Sequence, residues 1–157
     1  MRFIYDLDHT LLDSSHRQAT LPNGDLDLAH WIENSTPEKV MRDSLLPLAY
    51  HAKRNMGRCE VIACTARVMG AADYELLLSH GLIFDRILSR PEGCRMSDAT
   101  LKVALLWQDS VESGAESFYR YARQSLMFDD NQNVNIALAG YGFRCYDALS
   151  LNKELAA

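Results

Sequence analysis

The stretch MRFIYDLDHTLLDSS, residues 1–15, decides how the rest of the chain is read. Arg2 to Tyr5 is a strand-like apolar run, and it ends in Asp6-Leu7-Asp8. Side chains two apart on an extended backbone point the same way. Two carboxylates so placed repel each other, and a nearby cation is needed to offset that repulsion. His9 follows, a bulky residue in a turn that suits a small one, and then Thr10.

The bulk properties narrow the reading. At 157 residues the chain is expected to be one domain with a real core. Its 48% hydrophobic and 24% charged content is ordinary for a globular protein. No apolar run approaches about 18 residues, so no membrane span is expected. No apolar signal segment precedes the first acids. The four cysteines, Cys59, Cys64, Cys94 and Cys145, match no zinc spacing and read as buried thiols of a reducing cytoplasm. A net charge of -5 argues against strong non-specific nucleic-acid binding, while leaving room for a local basic groove.

Working outward, residues 13–35 are polar, carry the turn signal Pro22-Asn23-Gly24-Asp25 and predict a small flap with little regular structure. Leu26, Leu28, Trp31 and Ile32 are the residues expected to pack it down. Ser35-Thr36-Pro37-Glu38 is a helix start. It predicts a short helix near 37–43 and a second near 46–56, closed by Gly57. CEVIACT, residues 59–65, is a nearly continuous apolar strand of the kind covered on both faces. Beyond it the patterns predict a helix over 70–80, a strand over 82–88, helices over 98–108 and 114–124, a strand over 125–128, a helix over 131–139 and a strand over 143–146. This alternation implies an α/β fold: a three-layer, Rossmann-like parallel sheet with helices on both faces and a minimal cap.

Sites in such folds lie beyond the C-terminal ends of the strands. The residues there form one chemical set: Asp6, Asp8 and Thr10, then Thr65 and Arg67, then Asp129, Asp130 and Asn131. Acids from separate strand ends share a crevice only around a cation, and an all-oxygen set suits a hard divalent ion, Mg2+ first.

The pattern resembles the haloacid dehalogenase superfamily of phosphatases. Phe3-Ile4-Tyr5-Asp6-Leu7-Asp8-His9-Thr10 matches its first motif, Thr65 in VIACTAR its second, and Asp129-Asp130 its fourth. The third is a lysine, and Lys102 is the only one between Thr65 and Asp129. The resemblance implies that Asp6 is a nucleophile and Asp8 an acid and base. It implies that Thr65 and Lys102 hold phosphoryl oxygens. Mg2+ would then be bound by Asp6, the Asp8 carbonyl and Asp129, with Asp130 as a further ligand or a neighbour of the ligands.

Within that superfamily, CTAR, FDDN and the stretch GLIFDRILSRPEGCRMSDATLKVALL resemble the 3′-phosphatase domain of phage-type polynucleotide kinases. Thr65-Ala66-Arg67 stands where those have Ser-Gly-Arg, and no GxxxxGK[ST] phosphate loop occurs, so kinase activity is not expected. With a small flap the site is expected to be open, either to a macromolecular end or to a small substrate covered by another subunit of a homo-oligomer. The resemblance favours a nucleic-acid 3′-phosphate end as substrate, with a mononucleotide second and a non-hydrolysing phosphoacceptor module third. Arg67, Arg90 and Arg95 are the candidate substrate contacts, with Thr10, and with His9 at the rim near the leaving group. His16 and Arg17 read as weaker candidates, exposed polar residues of the flap.

Overall fold

The computed structural model describes residues 1–157. Five parallel strands form the main sheet: β1 (Arg2–Tyr5), β4 (Glu60–Thr65), β5 (Arg86–Ser89), β6 (Ser125–Asp129) and β7 (Arg144–Asp147), in the spatial order β5-β4-β1-β6-β7. β1 is central. The chain winds outward through β4 and β5, then returns to the other side of β1 with β6 and β7. That reversal opens a crevice at the C-terminal end of β1, where doubly wound sheets bind ligands.

Both faces of the sheet are buried, which explains the unbroken apolar strands. Tyr5, Val61, Ala63 and Phe128 face α3 (Pro47–Asn55), α4 (Ala71–Ser79) and α8 (Ala148–Ala156) in one core. Ile4, Ile62, Cys64 and Met127 face α5 (Asp98–Glu112), α6 (Phe118–Arg123) and α7 (Gln132–Ala139) in the other. A row of stacked rings crosses the first face: Tyr5 lies 4.8 Å from Phe128, and Phe128 lies 5.3 Å from Tyr146. No helix is long and apolar enough to cross a membrane. All four cysteines are free thiols, but only Cys64 is fully buried.

Several elements differ from expectation. The flap contains a short 3-10 helix, Ser15–Arg17, and a helix, α1 (Leu28–Glu33), capped by the Asp27 side chain. Its apolar residues do not all pack down: Leu28 is 65% exposed and Ile32 73%. Trp31 covers the Arg17 guanidinium instead, 4.3 Å from the ring centroid. The helix after Pro37 is a single turn, α2 (Pro37–Val40), because the chain then enters a two-residue strand, β3 (Ser44–Leu45), antiparallel to β2 (Leu12–Asp13).

The apolar run from Leu82 precedes β5 rather than forming it. Asp85 docks first, its backbone N–H donating to Val61 O and its carboxylate accepting from Val61 N–H. α6 is shorter than expected because Ser117 caps it. α8 was not expected: Asp147 ends β7 and at once caps the helix by accepting from Leu149 N–H, so no turn residue marks the change. Asn152 on α8 is buried. It accepts from Leu48 N–H at 2.8 Å and donates to Thr10 O at 3.0 Å, tying α3 and the turn after β1 to the end of the chain.

Candidate active site

The turn after β1 carries the first acids. Asp6 continues the ladder by one bond, its N–H donating to Phe128 O at 2.9 Å. Its side chain is therefore held beside the end of β6, where Asp129 is wholly buried. Lys102, in the second turn of α5 and 2% exposed, sits between them: Nζ is 2.7 Å from Asp6 Oδ1 and 2.6 Å from Asp129 Oδ2. The candidate Lys102 is thus no snorkelling surface residue. Asp6, Asp129 and Asp130 each bring a carboxylate oxygen to within 4.8 Å of the others. Burial first, and then the negative charge of Asp6, pushes both Asp129 and Asp130 above the usual carboxylate range. The buried Lys102 ammonium is held charged against the opposing effect of desolvation by Asp6 and Asp129.

Thr10 and Thr65 are both wholly buried. Thr10 Oγ1 lies 3.4 Å from Asp6 Oδ2, so it supports the carboxylate from below and is not exposed for substrate. Thr65 Oγ1 accepts from Arg67 N–H at 3.0 Å, which leaves its own hydroxyl proton free to donate.

The Bacteriophage T5 5′-deoxynucleotidase family matches residues 1–157. The chain belongs to that family. The 5′-deoxynucleotidase of Escherichia phage T5 is 32% identical over 98% of this chain and 69% of its own length. Among solved structures, a haloacid dehalogenase-like hydrolase from Streptococcus pneumoniae aligns with a TM-score of 0.64 at 10% identity, over 97% of this chain and 90% of its own. The Pnkp1/Rnl/Hen1 complex aligns at 0.60 and 21% identity, over 93% of this chain and 45% of that one. A haloacid dehalogenase family enzyme from Bacteroides thetaiotaomicron, solved with magnesium and inorganic phosphate, aligns at 0.51 and 7% identity, over 93% and 92%. The haloacid dehalogenase-type hydrolase fold expected from the sequence is the one found.

In this member of the T5 deoxynucleotidase family two of the three candidate arginines are committed inside the protein. Arg67 is 6% exposed and committed to three carboxylates, those of Asp8, Asp43 and Asp73. Arg90 closes its own loop, donating to the carbonyls of Ala66, Cys94 and Met96 and to Asp98. Neither guanidinium is left to fork a phosphate, a correction to the substrate role expected of both. Arg95 is exposed in the loop before α5. Arg17, expected on the surface, is 1% exposed. The sequence did not single out Asp43, Asp73 or Ser14, isolated polar residues with no motif of their own.

Asp8 is the most tightly held side chain of the set. Arg67 Nη2 donates to Oδ1 at 2.6 Å and Nε to Oδ2 at 3.0 Å, while Ser14 Oγ donates to Oδ1 at 2.6 Å. Burial works to raise its pKa, but the charge and hydrogen bonds of Arg67, helped by Ser14, more than offset it and hold the carboxyl below its ordinary range. One edge stays open, with 23% of the side chain exposed.

His9 is the only non-glycine residue in the left-handed region, at φ 58°. Its Nε2 lies 2.7 Å from Gln18 Oε1 in the flap, so the small-residue turn is real and the ring is spent on the flap. The left-handed conformation costs an ordinary side chain about 1–2 kcal/mol and a β-branched one more. His9→Gly is therefore expected to change stability by no more than about 1 kcal/mol, and His9→Val to lower it by about 2 kcal/mol or more, read by urea unfolding.

Proposed function

We propose that the protein is a Mg2+-dependent phosphomonoesterase that removes the 5′-phosphate of deoxynucleoside monophosphates through an aspartyl-phosphate on Asp6. The observation that carries the chemistry is the buried Asp6–Lys102–Asp129 cluster at the ends of β1 and β6. Family membership over the full chain, with a relative named a 5′-deoxynucleotidase, carries the substrate class. It moves the mononucleotide, ranked second on sequence, ahead of the polynucleotide 3′ end. The internal commitment of Arg67 and Arg90 supports the same order.

In the first step a carboxylate oxygen of Asp6 forms a bond to phosphorus and the bond from phosphorus to the nucleoside oxygen breaks. Asp8 gives that oxygen a proton from the minor protonated form that its bonds to Arg67 and Ser14 leave. In the second, water attacks phosphorus and gives a proton to Asp8, and the Asp6–phosphorus bond breaks, which restores both carboxyls. Lys102 and the Thr65 hydroxyl stabilise the charge on the phosphoryl oxygens. The crowded oxygens of Asp6, Asp129 and Asp130, with two of the three carboxyls pushed upward by burial and mutual charge, fit a hard divalent cation. Those three side chains and the Asp8 carbonyl would hold Mg2+. When bound, it supplies positive charge to the phosphoryl group.

Phosphate release from 5′-deoxynucleotides, 3′-deoxynucleotides and a 3′-phosphorylated oligonucleotide, each with Mg2+ or with chelator, tests this. Turnover on the 5′-mononucleotides, lost with chelator, is expected. Preference for the oligonucleotide would return the substrate to the polynucleotide end. Asp8→Asn is expected to lower kcat/KM on deoxynucleotides by about 10²–10⁴-fold. It should lower kcat/KM far less on an aryl phosphate whose leaving group needs no proton. Equal losses would argue against the acid role.

A further inference from the structure

The buried charges beside the flap, outside the phosphate-handling cluster, form one connected chain. Asp43, in the loop between α2 and β3, has a fully buried side chain. It accepts from Arg17 Nε at 2.9 Å and Nη2 at 2.8 Å, from Arg67 Nη2 at 3.0 Å, and lies 2.8 Å from His16 Nε2. Arg17 is fixed in turn by Ser35 Oγ at 3.1 Å and by the Trp31 ring. Arg67 is steadied from the far side by Asp73 at 2.6 Å, whose other oxygen accepts from Gly70 N–H at 2.7 Å. A second route runs from the flap to Asp8 through Ser14, to which Gln18 Nε2 donates at 3.3 Å.

Two guanidiniums and three carboxylates are costly to bury, and well-packed apolar residues usually serve stability as well or better. The chain here ends on a carboxyl that is partly open to substrate. We infer that Arg17, Asp43 and Arg67 are positioning residues that lock the Asp8 carboxyl to the flap, so that flap placement sets proton transfer to the leaving oxygen. The inference rests on the reading of Asp8 as the proton donor. The flap would then govern the reaction without touching the phosphoryl group: Asp6, Lys102 and Asp129 make no hydrogen bond to Arg17 or Asp43.

The test compares kcat/KM, which covers the steps through leaving-group departure, for a 5′-deoxynucleotide and for p-nitrophenyl phosphate. Asp43→Asn keeps the shape and removes the charge shared by the two arginines. It is expected to lower kcat/KM on the nucleotide by about 30- to 100-fold and on the aryl phosphate by no more than about threefold, the scale of a misplaced rather than missing group. Arg17→Met, which leaves Asp43 and Arg67 in place, should show the same split with a smaller loss. Equal losses on both substrates, no loss on either, or failure of both variants to melt cooperatively would reduce the chain to scaffold and overturn the inference. Wild type inert toward both substrates would instead refute the phosphatase reading. A split in Asp8→Asn without one in Asp43→Asn or Arg17→Met would refute only the positioning chain.

Discussion

Asp6→Asn lowers steady-state phosphate release by about 10⁵-fold, the scale on which a nucleophile is lost when the rest of its site remains. The amide has no anionic oxygen to attack phosphorus, so no covalent intermediate forms. The fold should survive. Asp129 still neutralises Lys102 at 2.6 Å, and Thr10 keeps an oxygen partner at position 6. One negative charge also leaves a crowded cluster. Phosphate release, intact-mass measurement of a phosphorylated chain and a thermal melt check the three parts together. A rate within tenfold of wild type would remove Asp6 from the chemistry.

Lys102→Met is the second large effect, and it strikes stability as well as turnover. Methionine replaces most of the buried stem, so the loss reads the ammonium rather than a cavity. Without it, Asp6 and Asp129 face each other uncompensated, and breaking a buried ion pair from one side costs about 3–5 kcal/mol. Turnover should fall by at least about 10²–10³-fold, as for other groups that hold developing charge. Added Mg2+ should raise the melting midpoint of the variant by more than that of wild type, because a divalent cation offsets the charges the lysine no longer meets. A variant that melts like wild type in chelator would mean that Lys102 is not what reconciles the acids.

What could be read from the sequence was whatever a strand end displays. Asp6, Thr65 and Asp129 follow apolar runs that only a buried parallel strand explains, so their placement at one end of the sheet was deducible from alternation. Arg67 was visible in the same way, as a residue just past β4, but its role depends on what surrounds it. Asp43 reads as the tail of a helix and Asp73 as an ordinary first-turn acid, while β2 and β3 are too short to show any periodicity. Only three-dimensional packing brings these charges onto one guanidinium. Asp147 misled for the opposite reason: one side chain ends a strand and starts a helix, so the local pattern carries no punctuation there.

The bond from Asn152 to the carbonyl of Thr10 spans 142 residues of chain. β1 itself pairs only with β4 and β6, both distant in sequence. The turn that holds Asp6 and Asp8 is thus set by contacts distant in sequence. Contacts of such long range make assembly slow. The turn that carries Asp6 and Asp8 thus takes part of its rigidity from a helix far along the sequence.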